Sequence, residues 1–204
     1  MDVLTFAPKN YFGSNMYLLF SDNECAVIDP SVDYDTVRSR IDGENIKLKY
    51  IIVTHSHFDH ILKIDSWVQN CPEAIVIVGK EDAPALSDSY LNCYSLYFAN
   101  EKGYFGSYHT VSGGDVLTLG KTTLKILETP GHTPGSISVL ESDKVFVGDL
   151  VFADGGVGRC DFPGGDYTKL IASIKKITAL PQHTAMYRGH GRVTEVEEIK
   201  INFI

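Results

Sequence analysis

The stretch Val53-Thr54-His55-Ser56-His57-Phe58-Asp59-His60 puts three histidines and an aspartate within six residues. Imidazole nitrogens and carboxylate oxygens are good ligands for zinc and other divalent first-row metals. Residues two apart in an extended segment point the same way, so His55 and His57 can face one ion together. Asp59 and His60 come as the chain turns and can point toward a second ion. The bland alternative is a histidine-rich surface loop. It explains one histidine well, but not three of a chain's seven in one loop beside an aspartate. The zincin arrangement, two histidines at i and i+4 on a helix with a glutamate after the first, is absent.

Three later loops repeat the signature. Thr129-Pro130-Gly131-His132-Thr133-Pro134-Gly135-Ser136 sets a histidine in a stiff turn between two apolar runs. Val145-Phe146-Val147-Gly148-Asp149 ends a run in an aspartate, and Tyr187-Arg188-Gly189-His190-Gly191 sets a histidine between glycines. Glycine permits backbone angles and close approaches closed to other residues. The sum is His55, His57, Asp59, His60, His132, Asp149 and His190. That is enough for two metals with three terminal ligands each, one shared aspartate and one open bridging position. Two metals about 3.5–4 Å apart clamp a hydrolytic transition state from both sides.

The elements that hold these residues read mostly as strands. Short apolar runs at 3–7, 15–20 and 25–28 are split by turn residues, and Tyr50-Ile51-Ile52-Val53 leads into the first histidine loop. Asp29, just after the third run, reads as a turn residue in preference to a support for a ligand. Apolar spacing predicts helices over 34–41, closed by Asp42-Gly43, and over about 59–69, with Trp67 in the core. A strand at 74–78 and a short helix at 80–86 follow. Residues 87–112 crowd seven aromatic rings without clear periodicity and read equally as a lid over a pocket or a hydrophobic plug. His109 there reads as an ordinary surface or core histidine. Strands follow at 115–119, 122–128, 136–140 and 144–147, then a helix at 166–177, a strand at 184–187 and a short helix at 194–198.

At 204 residues the chain, 1–204, reads as one domain with a full-sized core. A net charge of −8 without a basic cluster argues against nucleic acid as a partner. No run approaches the ~20 apolar residues of a membrane span, and no signal peptide is evident. Cys25, Cys71, Cys93 and Cys160 lack C-x-x-C spacing and read as reduced thiols in a cytoplasmic protein.

The ordered set His-x-His-x-Asp-His at 55–60, then His132, Asp149 and His190, resembles the metallo-β-lactamase-fold hydrolases over almost the whole chain. The resemblance implies an α+β fold: a four-layer αββα sandwich of two mixed sheets flanked by helices, with the site at one edge. It implies that His55, His57 and His132 hold one metal, that Asp59, His60 and His190 hold the other, and that Asp149 bridges them. Segments 129–136, 148–152 and 158–166 resemble more closely glyoxalase II and the short bacterial hydroxyacylglutathione hydrolases. This implies two divalent metal ions, zinc first with iron or manganese as alternatives, and hydrolysis of a small-molecule thioester such as S-lactoylglutathione. Asp59 would also orient the attacking hydroxide. True β-lactamases usually lack the aspartate at the position of Asp149, so antibiotic hydrolysis is not expected. Two departures stand out. Leu62-Lys63 follows His60-Ile61 where the family often has Gly-Gly, and the C-terminal helical domain with which full-length glyoxalase II binds glutathione has no counterpart in this sequence. Arg159 and Tyr187 adjoin ligand loops as substrate groups or as fold residues, and Cys160 reads as a small loop residue. A mononuclear iron persulfide dioxygenase, a lactonase or phosphodiesterase, and an inert metal-binding scaffold are the rival readings.

Overall fold

The computed structural model of the protein describes residues 1–8, 12–42 and 46–199. Two six-stranded mixed sheets face each other. The first holds β1 (Asp2–Phe6), β2 (Met16–Ser21), β3 (Glu24–Ile28), β4 (Lys47–Val53), β5 (Ile75–Gly79) and β6 (His109–Val111), in that spatial order. The second runs in reverse spatial order from β12 (Thr194–Glu195) through β11 (Ala185–Arg188), β10 (Lys144–Gly148), β9 (Ile137–Glu141) and β8 (Thr122–Glu128) to β7 (Val116–Leu119). Strands β3 to β6 are parallel, as are β10 and β11; the other neighbours are antiparallel.

Strand alternation explains the layering. In β4, Ile51 and Val53 join a core with Tyr34, Val37, Ile64 and Trp67 from helices α1 (Tyr34–Val37) and α2 (Ile64–Asn70). Tyr50 and Ile52 point the other way, into the core between the sheets with Leu124, Val139 and Phe146. On β10, Phe146 enters that shared core, while Val145 and Val147 pack beneath Leu170, Ile174 and Ile177 of α3 (Tyr167–Thr178). The result is the αββα sandwich. The Asp166 side chain caps α3 by accepting from the Lys169 amide at 3.0 Å. Among the described residues no helix is long and apolar enough to cross a membrane.

Several elements differ from the sequence expectation. The first helix stops at Val37 and tightens into a 3₁₀ turn over Arg38–Arg40, with Asp42 fixed by the Tyr34 hydroxyl and by Arg38; the closing Gly43 lies outside the described residues. Helix α2 begins at Ile64, five residues later than the spacing suggests. Residues 58–63 make tight turns instead, with the His60 amide donating to His57 and the Lys63 amide to Pro30 on the neighbouring loop. The 80–86 helix is 3₁₀ and carries Pro84. Strand β6 is three residues at a sheet edge, too short for a periodic signal. Residues 194–198 open as a strand pair with β11 before a single 3₁₀ turn over Val196–Glu198.

Candidate metal centre

Parallel pairing decides where the ligand-type residues go. Strands β3 and β4 end side by side, and so do β10 and β11, so Asp29, the 54–60 loop, Asp149 and His190 all emerge at one edge of the sandwich. Backbone bonds fasten the loops across the two sheets. The Ile137 amide donates to Thr54 between the sheets, and that of Gly189 to Gly148 within the second sheet. The Asn15 amide donates to the Gly189 carbonyl at 2.6 Å, and its side chain reaches the Gly191 carbonyl at 2.8 Å.

All seven sequence candidates converge there. Three groupings have ligand atoms within 4.8 Å of one another: His55 with His57 and His132, His55 with His60 and Asp149, and Asp59 with His60 and His190. The first and third follow the expected division, and the second shows His55 within reach of both. Asp149 lies between them: its Oδ1 is 3.4 Å from His60 Nε2, while its Oδ2 is 3.5 Å from His190 Nε2 and 3.9 Å from His132 Nε2. Asp59 Oδ2 is 3.0 Å from His190 Nε2.

Ring orientation is set from behind. His60 Nδ1 is 2.8 Å from Asp29 Oδ2, and His132 Nδ1 is 2.7 Å from the Arg159 carbonyl, so both rings turn Nε2 inward. The buried Nε2 atoms of His55, His57, His60 and His132, with Asp149 Oδ1, have no hydrogen-bond partner in the protein. A buried polar atom left unpaired costs about 1–3 kcal/mol, so five together fit cations bound among them. Charge is distributed unevenly. Burial first, then neighbouring imidazoles, push His55 down and His57 to about 3. Burial works the same way on His60, but the Asp59, Asp29 and Asp149 carboxylates outweigh it and favour a positive charge. Burial disfavours the anionic Asp149, yet the facing His60, His190 and His132 hold it well below the usual carboxylate range.

Asp29 combines two roles. It has the positive φ of a turn residue, +54°, as the sequence reading preferred, yet its buried carboxylate also accepts from Thr54 N, Thr54 Oγ1 and His60. Asp82 escaped sequence reasoning. From the 3₁₀ helix after β5 it accepts from Ser56 N and Thr133 Oγ1 on one oxygen and from Gly135 N on the other. It thereby ties the His55/His57 loop to the His132 loop. Nothing in a single sequence separates it from a surface acid. Tyr187 stacks on Phe146 at 4.6 Å as a core ring. His109 is exposed on β6, and Trp67 is buried with its indole donating to Val32. Residues 87–112 divide: Tyr104 buries into the helix-side core, while Cys93 and Tyr97 face the cavity beside the histidines.

The sequence matches the Metallo-beta-lactamase superfamily over residues 10–190. It is 35% identical to the probable metallo-hydrolase YqgX of Bacillus subtilis, over 93% of this chain and 90% of that protein. It is 31% identical to the hydroxyacylglutathione hydrolase GloC of Haemophilus influenzae, over 95% and 92%. Among solved structures, BLEG-1 B3 metallo-beta-lactamase superposes with a TM-score of 0.87 at 31% identity, covering 97% of this chain and 95% of that one. TTHA1623 in a di-iron-bound form gives 0.80 at 26% identity, covering 97% and 96%. The inward-turned histidines at the sandwich edge thus belong to a chain that shares sequence and fold with these proteins along nearly its full length, and the chain is a member of the metallo-β-lactamase superfamily.

Proposed function

We propose that the protein is a dinuclear metal-dependent hydrolase that cleaves small-molecule thioesters, S-lactoylglutathione among them. The observation that carries this reading is the convergence of buried, unpartnered Nε2 atoms around Asp149. His55, His57 and His132 would hold one ion, and Asp59, His60 and His190 the other, with Asp149 beside both sets. Zinc suits this donor set, as do iron and manganese; the likeness to a di-iron-bound neighbour supports iron as the first alternative to zinc. Two such ions supply Lewis-acid activation of water and of the thioester carbonyl. Asp59 lines the cavity and would accept a hydrogen bond from the attacking water and so aim it. The thiol product is a good leaving group, so no strong general acid is required of the chain. The likeness to GloC supports a thioester substrate. Four free cysteines support a reducing compartment such as the cytoplasm.

The test is elemental analysis of the purified protein beside hydrolysis of S-lactoylglutathione and a simple acetyl thioester, with and without chelator. Two metals per chain and chelator-sensitive thiol release are expected. One iron with oxygen uptake and no thiol release would replace the reading with a dioxygenase. Opening of a β-lactam or lactone without thioester cleavage would replace it with another hydrolase. Asp59→Asn should lower kcat at least about 100-fold and weaken retention of the second metal; full turnover with intact metal would remove Asp59 from the chemistry.

A further inference from the structure

The cavity beside the candidate ligand cluster has a volume of about 240 Å³. Rings from four stretches of chain wall it: Phe12 ahead of β2, Phe58 in the ligand turn, Tyr97, and Phe152 with Phe162 in the loops after β10. Core packing does not explain all of them, because Phe12 is 42% and Tyr97 49% exposed. Rings left half in water around a cavity mark a surface awaiting an apolar ligand. They are braced, not loose. Phe58 meets Tyr97 at 5.6 Å and Phe98 at 5.7 Å, and Phe98 meets Phe12 at 5.3 Å. The wall also runs up to the candidate ligands on both sides of the cluster: Phe162 contacts the His57 ring at 5.5 Å and Phe152 the His190 ring at 6.3 Å.

Among the described residues lining the cavity Arg159 is the one cation, and it is already engaged. Its guanidinium lies 4.1 Å over the Phe162 ring and donates to both oxygens of Asp161, at 2.9 and 2.6 Å. Its charge is thus paired with Asp161, and its flat face covers the Phe162 ring.

We infer that this cavity receives an aromatic or branched apolar acyl group, so that the preferred thioesters carry such a group in place of the small hydroxyacyl of S-lactoylglutathione. The inference rests on the thioester reading. The step is plain hydrolysis: water adds to the carbonyl carbon, the C–S bond breaks, and a carboxylic acid and a thiol leave. Tyr97 and Phe162 are the specificity-determining rings.

The experiment compares phenylacetyl and acetyl thioesters of one uncharged thiol, N-acetylcysteamine, on the metal-loaded protein, with calorimetric binding of phenylacetate and acetate alongside. We expect kcat/KM at least tenfold higher for phenylacetyl, and phenylacetate bound at least tenfold tighter than acetate. Turnover of both thioesters without preference overturns the inference and leaves the thioester reading intact. Tenfold tighter phenylacetate with no turnover of either thioester supports the aromatic cavity and overturns the thioester reading. Equal binding of the two acids overturns the cavity assignment whatever is turned over. Tyr97→Ala should cut the phenylacetyl-to-acetyl ratio at least threefold and Tyr97→Phe should retain it; equal losses on both substrates would assign Tyr97 to folding alone.

Discussion

His60 shows how much one side chain carries. Its Nδ1 faces Asp29, while its Nε2 faces Asp59 at 3.5 Å and Asp149 at 3.4 Å. The carboxylate behind it fixes the ring and raises its basicity toward a metal, the usual work of groups one layer behind a ligand. Asp29→Asn keeps the shape but removes that charge and one acceptor. Metal affinity should fall about 10–100-fold, read by competition with a chelating dye; unchanged affinity would show that Asp29 serves only the turn. Two glycines are equally specific. Gly148 has a φ of +54°, and a Cβ on Gly189 would meet Asp149 Oδ1 at 2.1 Å and His60 Cε1 at 2.5 Å. The close approach of the β11 loop to the cluster therefore depends on glycine at 189.

At the scale of elements, the ligand loops are held by bonds that cross between them. Asp82 is 1% exposed and joins the loops after β4 and after β8 through Ser56, Thr133 and Gly135. Burial raises its pKa against the pull of these donors, so the carboxyl stays in place at some cost to the fold. Asp82→Ala strands two backbone amides in the interior, a loss of about 2–6 kcal/mol at about 1–3 kcal/mol per orphaned donor. We expect a Tm lower by about 4–24 °C, and preferential loss of one metal per chain, since His55, His57 and His132 all sit on the untied loops. Equal loss of both metals would show that Asp82 supports the whole edge and not one ion. The ring-bearing segment 87–112 is an element of the same kind: the Asn92 carbonyl accepts the Phe58 amide at 2.9 Å, so the cavity wall and the ligand turn are one unit.

For the whole molecule, polar links from both sheets meet at the site edge. Asn15 and Tyr17 of the first sheet donate to the Arg188 carbonyl of the second, and the Arg188 guanidinium, 1% exposed, donates to Val151. A cation held between ligands from both sheets would add a further link. A ligand that binds the folded state at 100 times its Kd adds about 2.7 kcal/mol of stability. Saturating metal should therefore raise the Tm of chelated protein by at least about 5 °C, in a concentration-dependent way, by calorimetry. A Tm indifferent to metal would separate the cluster from the fold.

The seven ligand-type residues, the family and most of the strands were legible in the linear chain because their signals are local. Strand ends carry glycine beside histidine or aspartate, and apolar runs such as 122–128 coincide with β8 to the residue. The strand alternation of β4 and β10 likewise lies in the sequence, and with it the layering. The onset of α2 was not legible, because the 59–63 apolar spacing is helical while long-range bonds to Pro30 and Asp29 hold those residues in turns. Asp29 and Asp82 look alike in sequence to any turn or surface acid; only the folded chain buries them against donors 25 to 53 residues away. The same holds for the cavity. Phe12, Phe58, Tyr97, Phe152 and Phe162 lie scattered along the chain, and they become one wall because the parallel strands of two sheets end at the same edge. Residue type and spacing set the chemistry that the site can perform; the pairing of distant strands sets which groups support it and what fits beside it.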